Sequence, residues 1–226
     1  MMKDESIPRL RMLQRVGFRM ILPTCLILLA ATSLPLSAET NEAAVVSVDS
    51  GADSSRPAEW AVKLDKPGLP NFHQVTTNLY RGAQPTAEGM AELEAMGIKS
   101  VINLRTFHSD KGELAGTGLK GIRITTQPWD GDNEEVIRFL KAISDTNNLP
   151  AFVHCQRGAD RTGLMCAMYR VAICGWSKQQ AIEEMEDGGF AFNPAWKNLV
   201  RYVEKADVEK LKGKAGIEAA DKVQKP

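Results

Sequence analysis

Between residues 78 and 205, short apolar runs alternate with stretches in which apolar residues recur every three or four positions. Asn78-Leu79-Tyr80-Arg81, Ile98 to Leu104, Ile122 to Thr125 and Ala151-Phe152-Val153 have the length and apolar content of strands. Thr86 can cap a helix running to Met96, with Met90, Leu93 and Met96 on one face and Gly97 ending it. A second helix begins at Asn133 and places Val136, Phe139, Leu140 and Ile143 at helical spacing. The stretch from Gly163 to Cys174 is almost continuously apolar, so its helix is expected at the centre, stopped by Gly175. Ser177 with Gln180 forms a capping box for a helix carrying Ala181, Ile182 and Met185. Asn193-Pro194 reads as the start of a last helix lined by Trp196, Leu199, Val200 and Val203, with Trp176 and Trp196 in the core. Strands alternating with helices predict an α/β fold: a central, mostly parallel sheet flanked by helices. The pattern leaves the strand order open.

The amino-terminal part follows another rule. Lys3, Arg9, Arg11, Arg15 and Arg19 precede an apolar run from Met20 to Leu36, broken by Pro23 and Pro35; Ser37-Ala38 then lead into polar Glu39-Thr40. A positive start, a short apolar run and a small-residue exit predict a signal peptide over residues 1–38 and export, to the periplasm in a bacterium. An uncleaved membrane anchor is the alternative, against which stand the shortness of the run and its two prolines. Membrane contact is expected only through this segment. Residues 39–67, rich in Ala, Ser, Asp and Glu, read as a linker; the domain is expected over 68–206 and a basic tail over 207–226.

Charge narrows the choice of partner: 28 basic side chains balance 28 acidic ones, without the basic excess of a nucleic-acid binder. Cys25 falls within the signal, and Cys155, Cys166 and Cys174 remain, an odd number that does not suggest a disulfide framework. Cys166 and Cys174 lie eight residues apart in one predicted helix. That spacing separates them by ~12 Å of rise, whereas bridged Cα atoms lie within ~7 Å. Both read as small core hydrophobes.

The chemistry concentrates in His154-Cys155-Gln156-Arg157-Gly158-Ala159-Asp160-Arg161-Thr162-Gly163, between a buried strand and the central helix. A loop entering a helix amino terminus offers successive backbone N–H groups and the positive end of the helix dipole to a phosphate dianion. Gly158 and Gly163 let the backbone curl. The same field lowers the pKa of Cys155 towards a thiolate. Arg161 can grip two phosphoryl oxygens with its planar fork. Thr162 can donate to the sulfur, and His154 is expected to orient the loop.

The arrangement Cys-(x)5-Arg-Thr, entered by Val-His and followed by Gly, resembles the protein tyrosine phosphatase superfamily. Leu79-Tyr80-Arg81-Gly82-Ala83-Gln84-Pro85 and Gly97 to Arg105 resemble its compact, dual-specificity-like branch, seen in exported bacterial phosphatases and in relatives acting on inositol phosphates. The resemblance covers about residues 70 to 205. It implies a phosphocysteine mechanism: Cys155 attacks phosphorus, Arg161 stabilises the equatorial oxygens, and residues Gln156, Arg157, Gly158, Ala159, Asp160, Arg161 and Thr162 bind the phosphate. No metal or other cofactor is implied, and His73, His108 and His154 have no zinc-type spacing. It also implies an aspartic acid on a separate loop. Asp130, within Gln127-Pro128-Trp129-Asp130-Gly131-Asp132, is the choice and Asp132 the runner-up; the competing reading has both capping the following helix. Tyr80, Arg81 and Arg105 end predicted strands and read as structural.

The expected substrate is a phosphorylated protein or small phosphate monoester, with phosphotyrosine foremost and phosphoserine and phosphothreonine admitted by a short acid loop. Relatives acting on inositol phosphates often add lysines to the loop; here Arg157 is offset by Asp160. An inositol-phosphate or phosphoinositide phosphatase is the alternative. A sulfurtransferase of the rhodanese type usually has one residue fewer between Cys and Arg, and arsenate reductases usually add partner cysteines. A catalytically inactive phosphate-binding module usually lacks the cysteine, the arginine or the acid, and this chain keeps all three types.

Overall fold

In the computed structural model, residues 56–127 and 131–217 are described. The stretch expected to be a signal and most of the expected linker, residues 1–55, and the last nine residues lie outside them, as do Pro128, Trp129 and Asp130. Among the described residues, six strands form one sheet in the order β1-β2-β3-β6-β4-β5. These are β1 (Val62–Lys63), β2 (His73–Gln74), β3 (Leu79–Gly82), β4 (Ser100–Asn103), β5 (Lys120–Arg123) and β6 (Ala151–His154). β3, β6, β4 and β5 run parallel, while β1 and β2 extend the edge antiparallel.

β4 and β6 are buried along their whole length, so burial along them is continuous rather than alternating, and their polar ends Ser100, Asn103 and His154 are buried with the rest. Period 2 reappears in what each face packs against. Val101 and Phe152 meet α1 (Ala87–Ala95) through Met90 and Leu93; Ile102 and Val153 belong to the larger core on the other side. That core is shared by α2 (Asn133–Ser144), α3 (Asp160–Ala172), α4 (Lys178–Asp187), α5 (Lys197–Lys205) and α6 (Val208–Ala215). α3 touches β3, β6 and the four helices around it, which explains why the pattern placed it centrally. Burying each large apolar side chain there contributes ~1.5–3 kcal/mol.

Local signals held where the chain itself supplies the partner. The Thr86 side chain caps α1 by accepting from Gly89 N, and Ser177 and Gln180 form the reciprocal capping box of α4. Other expectations need correction. α3 ends at Ala172, so Cys174 lies past its end and is only half-buried. Asn193 forms a turn with Ala195 N, and α5 begins at Lys197 with Trp196 at its cap. Trp176 and Trp196 are half-buried rather than core residues. α6 lies within the stretch expected as tail, burying Leu211 and Ala215 against the core that α2 also lines; β1 likewise lies within the expected linker. A short amphipathic helix whose apolar residues are spaced among lysines gives little signal by itself. Among the described residues, no helix is long and apolar enough to cross a membrane.

Candidate active site

β6 delivers His154 and Cys155 to the carboxyl edge of the sheet, and the chain curls once before entering α3. Every carbonyl of that curl is engaged from outside. Cys155 O faces His154 Nδ1 at 3.1 Å, Gln156 O accepts from Gln84 N at 3.2 Å, and Arg157 O accepts from Asn71 Nδ2 at 2.9 Å. Gly158 O and Ala159 O accept from Arg81 Nη2 at 2.8 and 3.3 Å. A peptide's C=O and N–H point in opposite directions, so carbonyls turned outward leave the following amides turned inward. The loop is therefore a cradle of N–H donors, continued by α3, whose amino end has no side-chain cap.

Gly158 is required for this shape. Its φ is +70°, and a Cβ there would lie 2.3 Å from the Gly82 carbonyl carbon and 2.6 Å from Ala83 N, both rigid backbone at the end of β3. Arg81, 1% exposed, stacks its guanidinium 3.7 Å from the centre of the Phe190 ring while it holds the two loop carbonyls. Arg81 and Arg105 thus bond to the protein's own framework, Arg105 through Gln84 Oε1 at 3.0 Å.

Cys155 is 3% exposed. Burial alone would raise its pKa, but the Thr162 side chain, the amides of Thr162 and Arg157, and the charge of Arg161 together bring it below the ordinary thiol value. The Thr162 hydroxyl is buried with no conventional hydrogen-bond partner among the described residues, and it faces the sulfur. The other thiols behave oppositely: burial pushes Cys166 up to about 11, and burial likewise raises Cys174. Arg161 Nη1 donates to Leu104 O and Thr126 O, both at 3.3 Å, so the carboxyl ends of the strands aim the guanidinium. Arg157 is tied to Asp160 at 2.8 Å, and Asp160 also accepts from Asn193 N.

The two acid candidates separate here. Asp132 is the N-cap of α2, its carboxylate accepting from Glu134 N at 2.9 Å, which is the capping role weighed against it. Asp130 lies outside the described residues. Sequence reasoning missed Asn71, Gln84 and Asp110, which hold the loop or its histidine from distant parts of the chain. Gln84 stood within the quoted strand motif; Asn71 and Asp110 carried no local signal.

A buried, acidified thiol in a cradle of amides, with an arginine in the same turn, defines a cysteine-dependent phosphatase. The chain belongs to the dual-specificity-type protein tyrosine phosphatase family. Residues 64–197 match the family described as a DSP-PTPase phosphatase fused to NAD+ kinase. The dual specificity protein phosphatase TpbA of Pseudomonas aeruginosa is 32% identical over 160 residues, covering 70% of this chain and 72% of that protein. A crystal structure of TpbA as a cysteine-to-serine variant in complex with pTyr superposes with a TM-score of 0.64 at 31% identity, covering 73% of this chain and 100% of that one. The inositol diphosphatase DSP5 of Arabidopsis thaliana is 27% identical over 154 residues, covering 63% of this chain and 72% of that protein.

Proposed function

We propose that this phosphatase hydrolyses phosphotyrosine in proteins, and phosphoserine and phosphothreonine as well, through a phosphocysteine intermediate. The inward-facing amides around an acidified Cys155 carry this reading. Cys155 is the nucleophile: its sulfur forms a bond to phosphorus as the ester oxygen leaves. Residues Gln156 to Thr162 receive the equatorial oxygens on their amides, and Arg161 grips two of them through its fork. Asp130 protonates the leaving oxygen and then takes a proton from the water that hydrolyses the thiophosphate. No metal enters these steps.

A protein substrate is favoured over an inositol polyphosphate by the pairing of Arg157 with Asp160, which cancels the loop's extra cation. TpbA, the relative with a pTyr complex, supports the same preference. The test is turnover on phosphotyrosine, phosphothreonine and inositol polyphosphate panels with wild type and Cys155→Ser. The variant is expected to bind substrate without hydrolysing it. Appreciable hydrolysis by the serine variant refutes the mechanism, and preferred turnover of inositol polyphosphates refutes the substrate class. The charged and apolar pattern of residues 1–38 supports export to the periplasm, which fractionation of a tagged chain tests.

A further inference from the structure

The segment joining β4 to β5 gathers three side chains with metal-ligating chemistry. Among the described residues, His108, Asp110 and Glu113 each offer one ligand atom, all within 4.8 Å of one another. His108 Nε2 lies 3.6 Å from Asp110 Oδ1 and 3.3 Å from Glu113 Oε1. That nitrogen is buried, yet it makes no hydrogen bond among the described residues. Both separations exceed the ~2.7–3.2 Å of an N–H···O hydrogen bond. An ordinary ion pair would draw the ring onto one carboxylate; here it stands between two and bonds neither.

We propose that His108, Asp110 and Glu113 bind one zinc-type divalent ion, which staples the segment between β4 and β5 at the carboxyl edge of the sheet. Zinc bonds histidine nitrogen and carboxylate oxygen at about 2.0–2.2 Å, so two ligands at the tetrahedral angle lie about 3.4 Å apart. The observed 3.3 and 3.6 Å bracket that value. An octahedral ion such as magnesium needs neighbouring ligands about 2.9 Å apart and takes oxygen rather than nitrogen. The two carboxylates fall within the same 4.8 Å, and the half-buried Glu113 can turn to close on the ion while water fills the fourth position.

Two of the three ligands are held in advance. Asn103 Nδ2 donates to His108 O at 3.3 Å, fixing the chain just past β4. The Asp110 side chain is 4% exposed; its Oδ1 accepts from Gln84 Nε2 at 3.0 Å, and its Oδ2 lies 2.9 Å from His154 Nε2. A carboxylate oxygen has two lone pairs, so Oδ1 keeps one for an ion. Outer partners of this kind orient ligating carboxylates in metal sites generally. The ligands are one histidine and two carboxylates, two and three residues apart, so the spacing of the histidines alone does not reveal them. The sulfur of Cys155 takes no part, and the ion adds no step to the phosphocysteine mechanism.

The test uses the full chain stripped with EDTA and carrying Cys155→Ser, which removes the thiolate as a competing zinc ligand. Titration with zinc, followed by calorimetry, is expected to show one ion bound per chain. With zinc at about a hundred times Kd, Tm should rise by roughly 5–10 °C. Cobalt in its place should give the visible bands of a tetrahedral nitrogen and oxygen site, without a thiolate charge-transfer band. His108→Ala and Glu113→Gln, both at half-buried positions, are each expected to weaken binding on the order of tenfold or more. Each should also lose most of the rise in Tm, while the metal-free Tm shifts little. Asp110 is left intact because it also holds Gln84. No saturable binding below millimolar zinc, binding that both variants leave unchanged, or an equal rise in Tm with magnesium would overturn the proposal.

Discussion

Glu184 gives the most quantitative test of how the loop's helix is held. Arg170 Nε and Nη2 reach the two oxygens of Glu184 at 2.7 and 2.6 Å, and both side chains are only 4% exposed. Glu184 Oε1 also accepts from Ala61 N at 2.6 Å, and Arg170 Nη2 donates to Glu59 O at 3.0 Å. The guanidinium lies 4.1 Å from the centre of a Trp176 ring. Burial opposes the charge on Arg170, and the carboxylate of Glu184 more than offsets it, so the arginine stays charged. Glu184→Gln keeps the shape and can still present one oxygen to Ala61 N and Nη2, but turns an NH2 towards Arg170 Nε. Leaving one partner of a buried pair uncompensated costs ~3–5 kcal/mol. At about 2–4 °C per kcal/mol for a domain of this size, Tm falls by roughly 6–20 °C. Urea unfolding followed by tryptophan fluorescence measures the loss directly. The double variant Arg170→Met, Glu184→Leu removes both charges and is expected to recover most of it. Nine residues of α3 separate Arg170 from Arg161, ~13 Å of helix, so KM at 20 °C is expected to stay unchanged. A Glu184→Gln variant within 1 kcal/mol of wild type (about a fivefold change in the folding equilibrium), or a double variant no better than the single, would refute the reasoning.

Three further outcomes are expected. Arg161→Lys keeps the charge but loses the fork, so kcat should drop by orders of magnitude; a variant within a few-fold of wild type would show that Arg161 does not grip the phosphoryl group. At pH 7, Cys155 should alkylate and oxidise well before Cys166 and Cys174, because its thiol pKa is lowered and theirs are raised. Raising the pH through about 11 should erase the contrast with Cys166 to the extent that burial permits access; preferential modification of Cys174 at pH 7 would contradict the assignment. Asp130→Asn should slow alkyl phosphates far more than aryl phosphates and remove the basic limb of kcat/KM, whereas Asp132→Asn, which keeps a good N-cap, should cost only a few tenths of a kcal/mol in stability. Leaving-group dependence in the Asp132 variant would reassign the acid.

Much of this protein was legible from its residues in order. The spacing of Cys155, Arg161 and Thr162, the glycine at 158, the caps at Thr86 and Ser177 and the buried strands all act over a few residues, so local spacing carries their meaning. The carboxyl edge of the sheet as the site follows from a strand–loop–helix unit alone. What local order could not contain is the set of donors that turn the loop's carbonyls outward. Asn71, Arg81 and Gln84 come from segments 72 to 86 residues before the carbonyls they hold, and although Arg81 and Gln84 stand in a recognisable motif, nothing near any of the three in sequence says which groups they will meet. The strand order β3-β6-β4 brings them to the same edge. The same packing made α6 a helix, since Leu211 and Ala215 gain their burial only against a core shared with residues some seventy positions earlier. Periodicity records which side chains want burial; only the assembled sheet decides which polar groups meet beneath Cys155, and so how acidic that thiol becomes.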